Sequence, residues 1–131
     1  MSNRVIVLAS RNKDKVRELK DLVADLPFEI KSAEDYPGLP DVIEDGTTAI
    51  GNATRKAVIT AAYCGEIAIA DDTALRVEAL GGMPDIFAAR FSGSDATYSS
   101  NCDLLFEMMR DVPSDMRQAL FITSAVLVDP T

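Results

Sequence analysis

Residues 4–9 read Arg-Val-Ile-Val-Leu-Ala and give way at once to the polar run Ser10-Arg11-Asn12-Lys13-Asp14-Lys15. A continuous, β-branched apolar run of this length marks a strand buried on both faces, and such a strand needs crossover helices to cover it. From Lys13 the period changes. Val16, Leu19, Leu22, Val23 and Leu26 recur at three and four residues with charges between them, the pattern of one apolar helical stripe that Pro27 brings to a stop. Strand, polar turn and helix together point to an α/β fold.

The remaining chain extends that alternation. Residues 28–30 predict a short second strand, and residues 34–46, rich in Pro, Gly and acids, predict a loop. Residues 47–63 predict a helix, with Thr47 or Thr48 as N-cap and Gly65 as its end. Residues 66–70 predict a strand that delivers Asp71 and Asp72 at its carboxyl end. Gly81, Gly82 and Pro84 mark a tight loop, residues 97–110 a third helix, and residues 118–128 a last strand. The order predicts a mixed central sheet with flanking helices in one domain over residues 1–131. The chain stops directly after its last hydrophobic strand. An apolar surface or strand edge is therefore expected near residues 119–128, with a homodimer as the means of covering it.

Composition removes several function classes. Thirteen Lys and Arg against 21 Asp and Glu give a net charge of −8, which disfavours general binding to a nucleic-acid polymer. The amino-terminal apolar run is too short for a signal-peptide core or a bilayer span, so a cytoplasmic protein with no membrane partner is expected. The chain has no His, which excludes Ser-His-Asp and Cys-His systems and imidazole zinc sites within it. Cys64 and Cys102 stand apart and read as packed small side chains.

Two places can carry chemistry. The turn at Ser10, Arg11, Asn12 and Lys15 joins a buried strand to a helix amino end, where backbone N–H groups and a lysine favour an anion. It is neither a Walker A motif nor a G-x-G-x-x-G fingerprint, and an ordinary turn with solvated lysines also accounts for it. Asp71 and Asp72 close a strand, where open α/β sheets place ligands, although a turn or capping role is an equal alternative. In a chain without His, carboxylates are the natural donors for a hard ion such as Mg²⁺, with Glu44 a possible third ligand and Lys56 able to neutralise a phosphate. An anion turn, carboxylates and two lysines describe phosphate transfer or hydrolysis.

At these residues the chain resembles the inosine/xanthosine triphosphate pyrophosphatases. Four ordered segments carry the likeness: LASRNKDKVRELKDLV from Leu8, EDGTTAIGNATRKA from Glu44, AIADDTALRVEALGGMPDIFAARFSG from Ala68 and DATYSSNCDLLFEMMRDVPSDMRQALF from Asp95. The resemblance implies an ITPase-like fold and Mg²⁺-dependent attack of water on the α-phosphorus of a nucleoside triphosphate, releasing monophosphate and pyrophosphate. By position it implies Ser10, Asn12 and Lys15 in the triphosphate loop, with the adjoining Arg11, and Lys56 and Thr73 as substrate contacts. It implies Glu44 and Asp72 as metal ligands, Asp72 also as the base, and Asp71 as a supporting catalytic acid. A Maf-type pyrophosphatase is a poorer match, because the spacing from Asn12 to Lys15 and the Ala-Asp-Asp segment follow the ITPases.

The departures are specific. Thr48-Ala49-Ile50-Gly51-Asn52-Ala53 stands where the family shows T-F-x-E-N-A, and Asp71-Asp72-Thr73-Ala74-Leu75 where it shows D-D-S-G-L. Ala74 is expected to be strained if that position needs a glycine angle. Met83 and Asp85 stand in the usual G-G-x-P-G stretch. The family's later F-G-Y-D-P and S-H-R segments, which frame the base, have no counterpart in these 131 residues. A shortened member with an incomplete second lobe is therefore expected, its activity weakened or altered. The alternative is a non-catalytic nucleotide-binding or oligomerising module.

Overall fold

The opening apolar run forms strand β1 (Arg4–Leu8) in the computed structural model, which describes residues 4–43 and 46–131. Helix α1 (Lys13–Leu22), β2 (Phe28–Ser32), α2 (Ala49–Cys64), β3 (Ile67–Val77), β4 (Pro84–Asp85), α3 (Tyr98–Met109) and β5 (Ala119–Val128) follow. Parallel and antiparallel pairs both occur, so the sheet is mixed, as the strand and helix order predicts. The chain divides into two compact units, residues 1–71 with 125–131 and residues 72–124.

In the first unit β1 runs parallel to β2, from Arg4 opposite Phe28 to Leu8 opposite Ser32, and parallel to β3 through Ile6, Val7 and Leu8. That central place explains its composition: Val7 and Leu8 are fully buried. Helix α2 presents Ala53, Ala57 and Ala61, spaced four apart and all buried, so one face is smooth and packs closely. Ala57 meets Ala9 and Ala70, with Val126 and Val128 of β5 against them. Thr48 caps α2 by accepting from the Gly51 N–H at 3.0 Å. Gly65 ends it in the left-handed region at φ 67°, where its N–H reaches the Ala61 carbonyl.

Helix α1 departs from expectation. It ends at Leu22, and the stripe continues only as a turn in which Leu26 N–H bonds Val23. None of its residues is buried, and Leu22 and Leu26 stay exposed. Spacing fixes which side chains share a helix face; it does not supply a surface for that face to meet.

In the second unit β3 runs antiparallel to β4, with Leu75 opposite Asp85 and Arg76 opposite Pro84. β5 also pairs with β3, and the Glu78 N–H bonds the Gln118 carbonyl at 3.1 Å. Thr97 caps α3 and shares a capping box with Ser100. Beyond the helix, Arg117 donates to the carbonyls of Met109 at 2.7 Å and Val112 at 2.9 Å. Cys102 is exposed and Cys64 half-buried, so only Cys64 approaches the packed thiol expected of both.

Strand β3 corrects a second expectation. It does not end at Ala70: it runs to Val77, so Asp71 and Asp72 lie in its middle. Ala68, Ala70, Asp72 and Ala74 alternate as buried positions, and the small side chains two residues either side of Asp72 let the strand continue past a carboxylate. Ala74 is therefore ordinary strand, without the strain expected of it. The left-handed angle falls on Asp85, at φ 54°, the one such non-glycine residue among those described. The apolar exposure expected near the last strand is present at Leu120, Phe121 and Leu127. Among the described residues no helix is long and apolar enough to cross a membrane.

Candidate functional site

The turn after β1 is built by short-range bonds. Ala9 N–H donates to the Ile69 carbonyl of β3 at 2.8 Å, which fixes the strand end. Ser10 Oγ then accepts from the Asn12 N–H at 3.1 Å. Asn12 is the N-cap of α1, and its Oδ1 accepts from the N–H groups of Asp14 at 3.0 Å and Lys15 at 3.3 Å. Those two amides, which the sequence makes candidates for an anion, are thus already satisfied by the cap. What the turn offers a phosphate is chiefly the Lys15 side chain, raised by the first turn of the helix.

Lys15 meets the middle of β3. Its Nζ lies 3.3 Å from Asp71 Oδ2, with both side chains mostly covered. From α2, one turn past the buried Asn52, Lys56 Nζ donates to the backbone carbonyl of the same Asp71 at 2.6 Å. Two ammonium groups from different helices therefore end on one strand residue, one on its carboxylate and one on its peptide oxygen. This convergence lies within the first unit.

Arg11 does not join them. Its guanidinium donates to the Leu39 carbonyl at 2.7 Å and pairs with Asp41 at 2.9 Å, bracing the loop after β2. The same loop is tied to α2 by Tyr63, whose hydroxyl donates to the Pro37 carbonyl at 3.1 Å. Glu44, expected as a metal ligand, lies outside the described residues. Its described neighbours are both fastened to α2: Arg55 donates to the Ile43 carbonyl at 3.2 Å, and Asn52 Oδ1 accepts from the Gly46 N–H at 2.8 Å. Gly46 is needed there, because a Cβ would stand 2.5 Å from Asn52 Oδ1. The sequence reading gave Asn52, Arg55 and Tyr63 no role. The available signal for Asn52 was a polar residue directly before the alanine stripe of α2.

In the second unit, Asp72 is buried, and its Oδ1 accepts from the Thr73 N–H at 3.1 Å. Thr73 shares a hydroxyl–hydroxyl bond of 3.0 Å with Thr123 of β5. Adjacent strand residues face opposite ways, so Asp71 and Asp72 present one carboxylate to each face of β3. Among the described residues no three potential metal ligands cluster. Hard oxygen donors offered singly fit Mg²⁺ in its usual protein setting, where one or two carboxylates hold the ion and substrate phosphates complete its shell. Burial, and then the Glu66 carboxylate, push the Cys64 thiol up, away from the reactive thiolate form.

The profile of the Ham1 family matches residues 6–131. A dITP/XTP pyrophosphatase of Geobacter sulfurreducens is 41% identical over 125 residues, 95% of this chain and 63% of that protein. One of Streptococcus pyogenes serotype M1 is 40% identical over 127 residues, 96% of this chain and 39% of that protein. The chain thus spans 39% and 63% of the length of these two curated relatives. Among solved structures, a HAM1 protein from Coxiella burnetii superposes with a TM-score of 0.84 at 32% identity, covering 98% of this chain and 66% of that one. The Ham1 protein of Staphylococcus aureus gives 0.81 at 29% identity, covering 97% and 64%.

Proposed function

Since the chain belongs to the Ham1 family, we propose that it serves a Mg²⁺-dependent nucleoside triphosphate pyrophosphatase acting on aberrant purine nucleotides of the dITP and XTP kind, in the cytoplasm and as a homodimer. The observation that carries this reading is the arrival of Lys15 and Lys56, from two helices, at one residue of β3. A polyphosphate brings several negative charges to one place, and paired ammonium groups beside a strand of acids are suited to receive them. The relatives' names supply the reaction class.

In this mechanism Lys15 and Lys56 bind phosphate oxygens, while the hydroxyls of Ser10 and Thr73 add neutral hydrogen bonds. Asn12 holds the turn and aims Lys15. Arg11 contributes by bracing the loop at Leu39 and Asp41, which precedes Glu44 in the sequence. Mg²⁺, when bound, would supply charge neutralisation and lower the pKa of a water, and Glu44 and Asp72 are the residues that would hold it. The water oxygen forms a bond to the α-phosphorus, and the bond from that phosphorus to the bridging oxygen breaks. Pyrophosphate leaves with the electron pair, and the water's proton passes to the Asp72 carboxylate. Asp71 supports the lysines.

The test is pyrophosphate release from ITP, XTP, dITP and the standard nucleotides with Mg²⁺, beside an Asp72→Asn control. Turnover that falls by about a hundredfold or more in the control is the expected result, the scale at which removing a general base acts. Folded protein with no turnover on any nucleotide overturns the reading.

A further inference from the structure

We propose that Asp71 is a positioning residue that parks Lys15 while the site is empty and yields it to an incoming pyrophosphate or triphosphate group. This deepens the phosphate-binding reading and rests on it. The two lysines are not held alike. Lys56 ends on the Asp71 peptide carbonyl, an acceptor built into the strand that no change of side chain removes. Lys15 ends on the Asp71 carboxylate, an acceptor of the same charge type as a phosphate oxygen. The Lys15 contact is therefore one that a phosphate oxygen can exchange for.

Burial agrees with an exchange. The Asp71 side chain is 16% exposed and that of Lys15 30%, so the pair is shielded yet reachable from one side. A lysine left in water there has four rotatable bonds to order at the moment of binding; one already paired has been ordered beforehand. The carboxylate has an opposite effect as well, because it competes with the incoming anion for the Lys15 ammonium. Asp71 therefore trades affinity for order. Without Mg²⁺ to screen it, its removal tightens anion binding, and the gain passes through Lys15.

The experiment measures binding of inorganic pyrophosphate without divalent metal, by titration calorimetry on the full chain and on Asp71→Asn, Lys15→Gln and the double variant. Asp71→Asn is expected to bind about two- to fivefold more tightly, the range set by a partly exposed ion pair. Lys15→Gln binds more weakly, and adding Asp71→Asn to it restores nothing. Asp71→Glu, which keeps the carboxylate, stays close to the wild-type affinity. Unchanged or weaker binding by Asp71→Asn overturns the proposal, as does a gain that persists without Lys15, which reports only general charge removal. Wild-type chain that binds no pyrophosphate overturns it too. Should Asp71→Asn fail to fold, the carboxylate ¹³C resonance of Asp71 in the wild-type chain reads the same exchange. It shifts as pyrophosphate saturates the site, and a resonance that stays in place refutes the exchange. No readout here depends on turnover, so loss of the pyrophosphatase reading and loss of this one are distinguishable.

Discussion

The two units are stabilised by different means. Among the described residues, the first contains twelve of the fifteen buried hydrophobic residues, from Ile6 through Ala70, and the second contains Ala74, Val77 and Met109. Met83, Phe87, Tyr98, Phe106, Met108, Met116, Leu120 and Phe121, all in the second unit, keep large apolar side chains exposed. Directed hydrogen bonds hold one of its turns. Asn101 of α3 donates to the carbonyls of Ala88 at 3.2 Å and Ala89 at 3.0 Å, and accepts from Ser92 N–H at 2.9 Å and Ser92 Oγ at 2.8 Å. One amide side chain thus uses both donor positions and both lone-pair directions to hold the Ala88–Arg90 turn. Burial is non-directional and tolerates approximate shapes, whereas a bonded node depends on one chemistry at one place. The two units should therefore fail differently.

The largest effect is expected in the apolar unit. Leu8→Ala removes a fully buried side chain between two strands and should cost about 3 kcal/mol, read from the urea midpoint, with faster amide exchange along β1. A cost under about 1 kcal/mol would break the claim that burial dominates there. Asn101→Asp is the matching change in the other unit. It keeps size and shape but turns two donors into a charged acceptor facing two carbonyl oxygens, with an expected cost of about 2 kcal/mol. Asn101→Gln, with the amide displaced by one methylene, should not restore the loss; full restoration would show that volume, not directed bonding, holds the turn.

The smallest effect sharpens the comparison. Asp85 occupies φ 54° and pairs with Arg76 at 3.1 Å. Asp85→Gly relieves the backbone but loses the exposed ion pair and adds chain entropy, so thermal unfolding should move by no more than about 0.5 kcal/mol. Asp85→Ala keeps the strained angle without the pair and should be the less stable of the two. Equal stability for the Gly and Ala variants would show that the angle carries no strain.

Legibility followed sequence distance. The helix at α2 was readable to its Gly65 end and to a choice of Thr47 or Thr48 as N-cap, which the structure decides for Thr48, because caps act on amides and carbonyls within one turn. Thr97, the first residue of the predicted third helix, is its N-cap. Strand β3 was cut short because two aspartates resemble the end of an apolar run, and what keeps them in the strand comes from elsewhere: Lys15 from 56 residues upstream and the pairing partners of β4 and β5 downstream. The turn after β1 was located correctly as a turn, but two of its amides are taken up by the Asn12 cap, whose Oδ1 accepts from the Asp14 and Lys15 N–H groups. Arg11 could not be assigned from its neighbours, because its partners Leu39 and Asp41 lie about thirty residues away and the choice between solvent, loop and ligand is made in space.

The sequence by itself determined the alternation of the longer strands and helices, the Gly65 stop of α2, the surplus of acid, the absence of imidazole and a set of candidates for handling phosphate. These follow from periodicity, backbone preference and side-chain chemistry, which act over a few residues. Only the tertiary structure decided that Lys15 and Lys56 meet at Asp71, that Arg11 braces a loop, and that the aspartates sit inside a strand rather than at its end. Those outcomes depend on which distant groups share a low-dielectric neighbourhood, and an ion pair or a strand register gains its energy only after the chain has closed the loops between them.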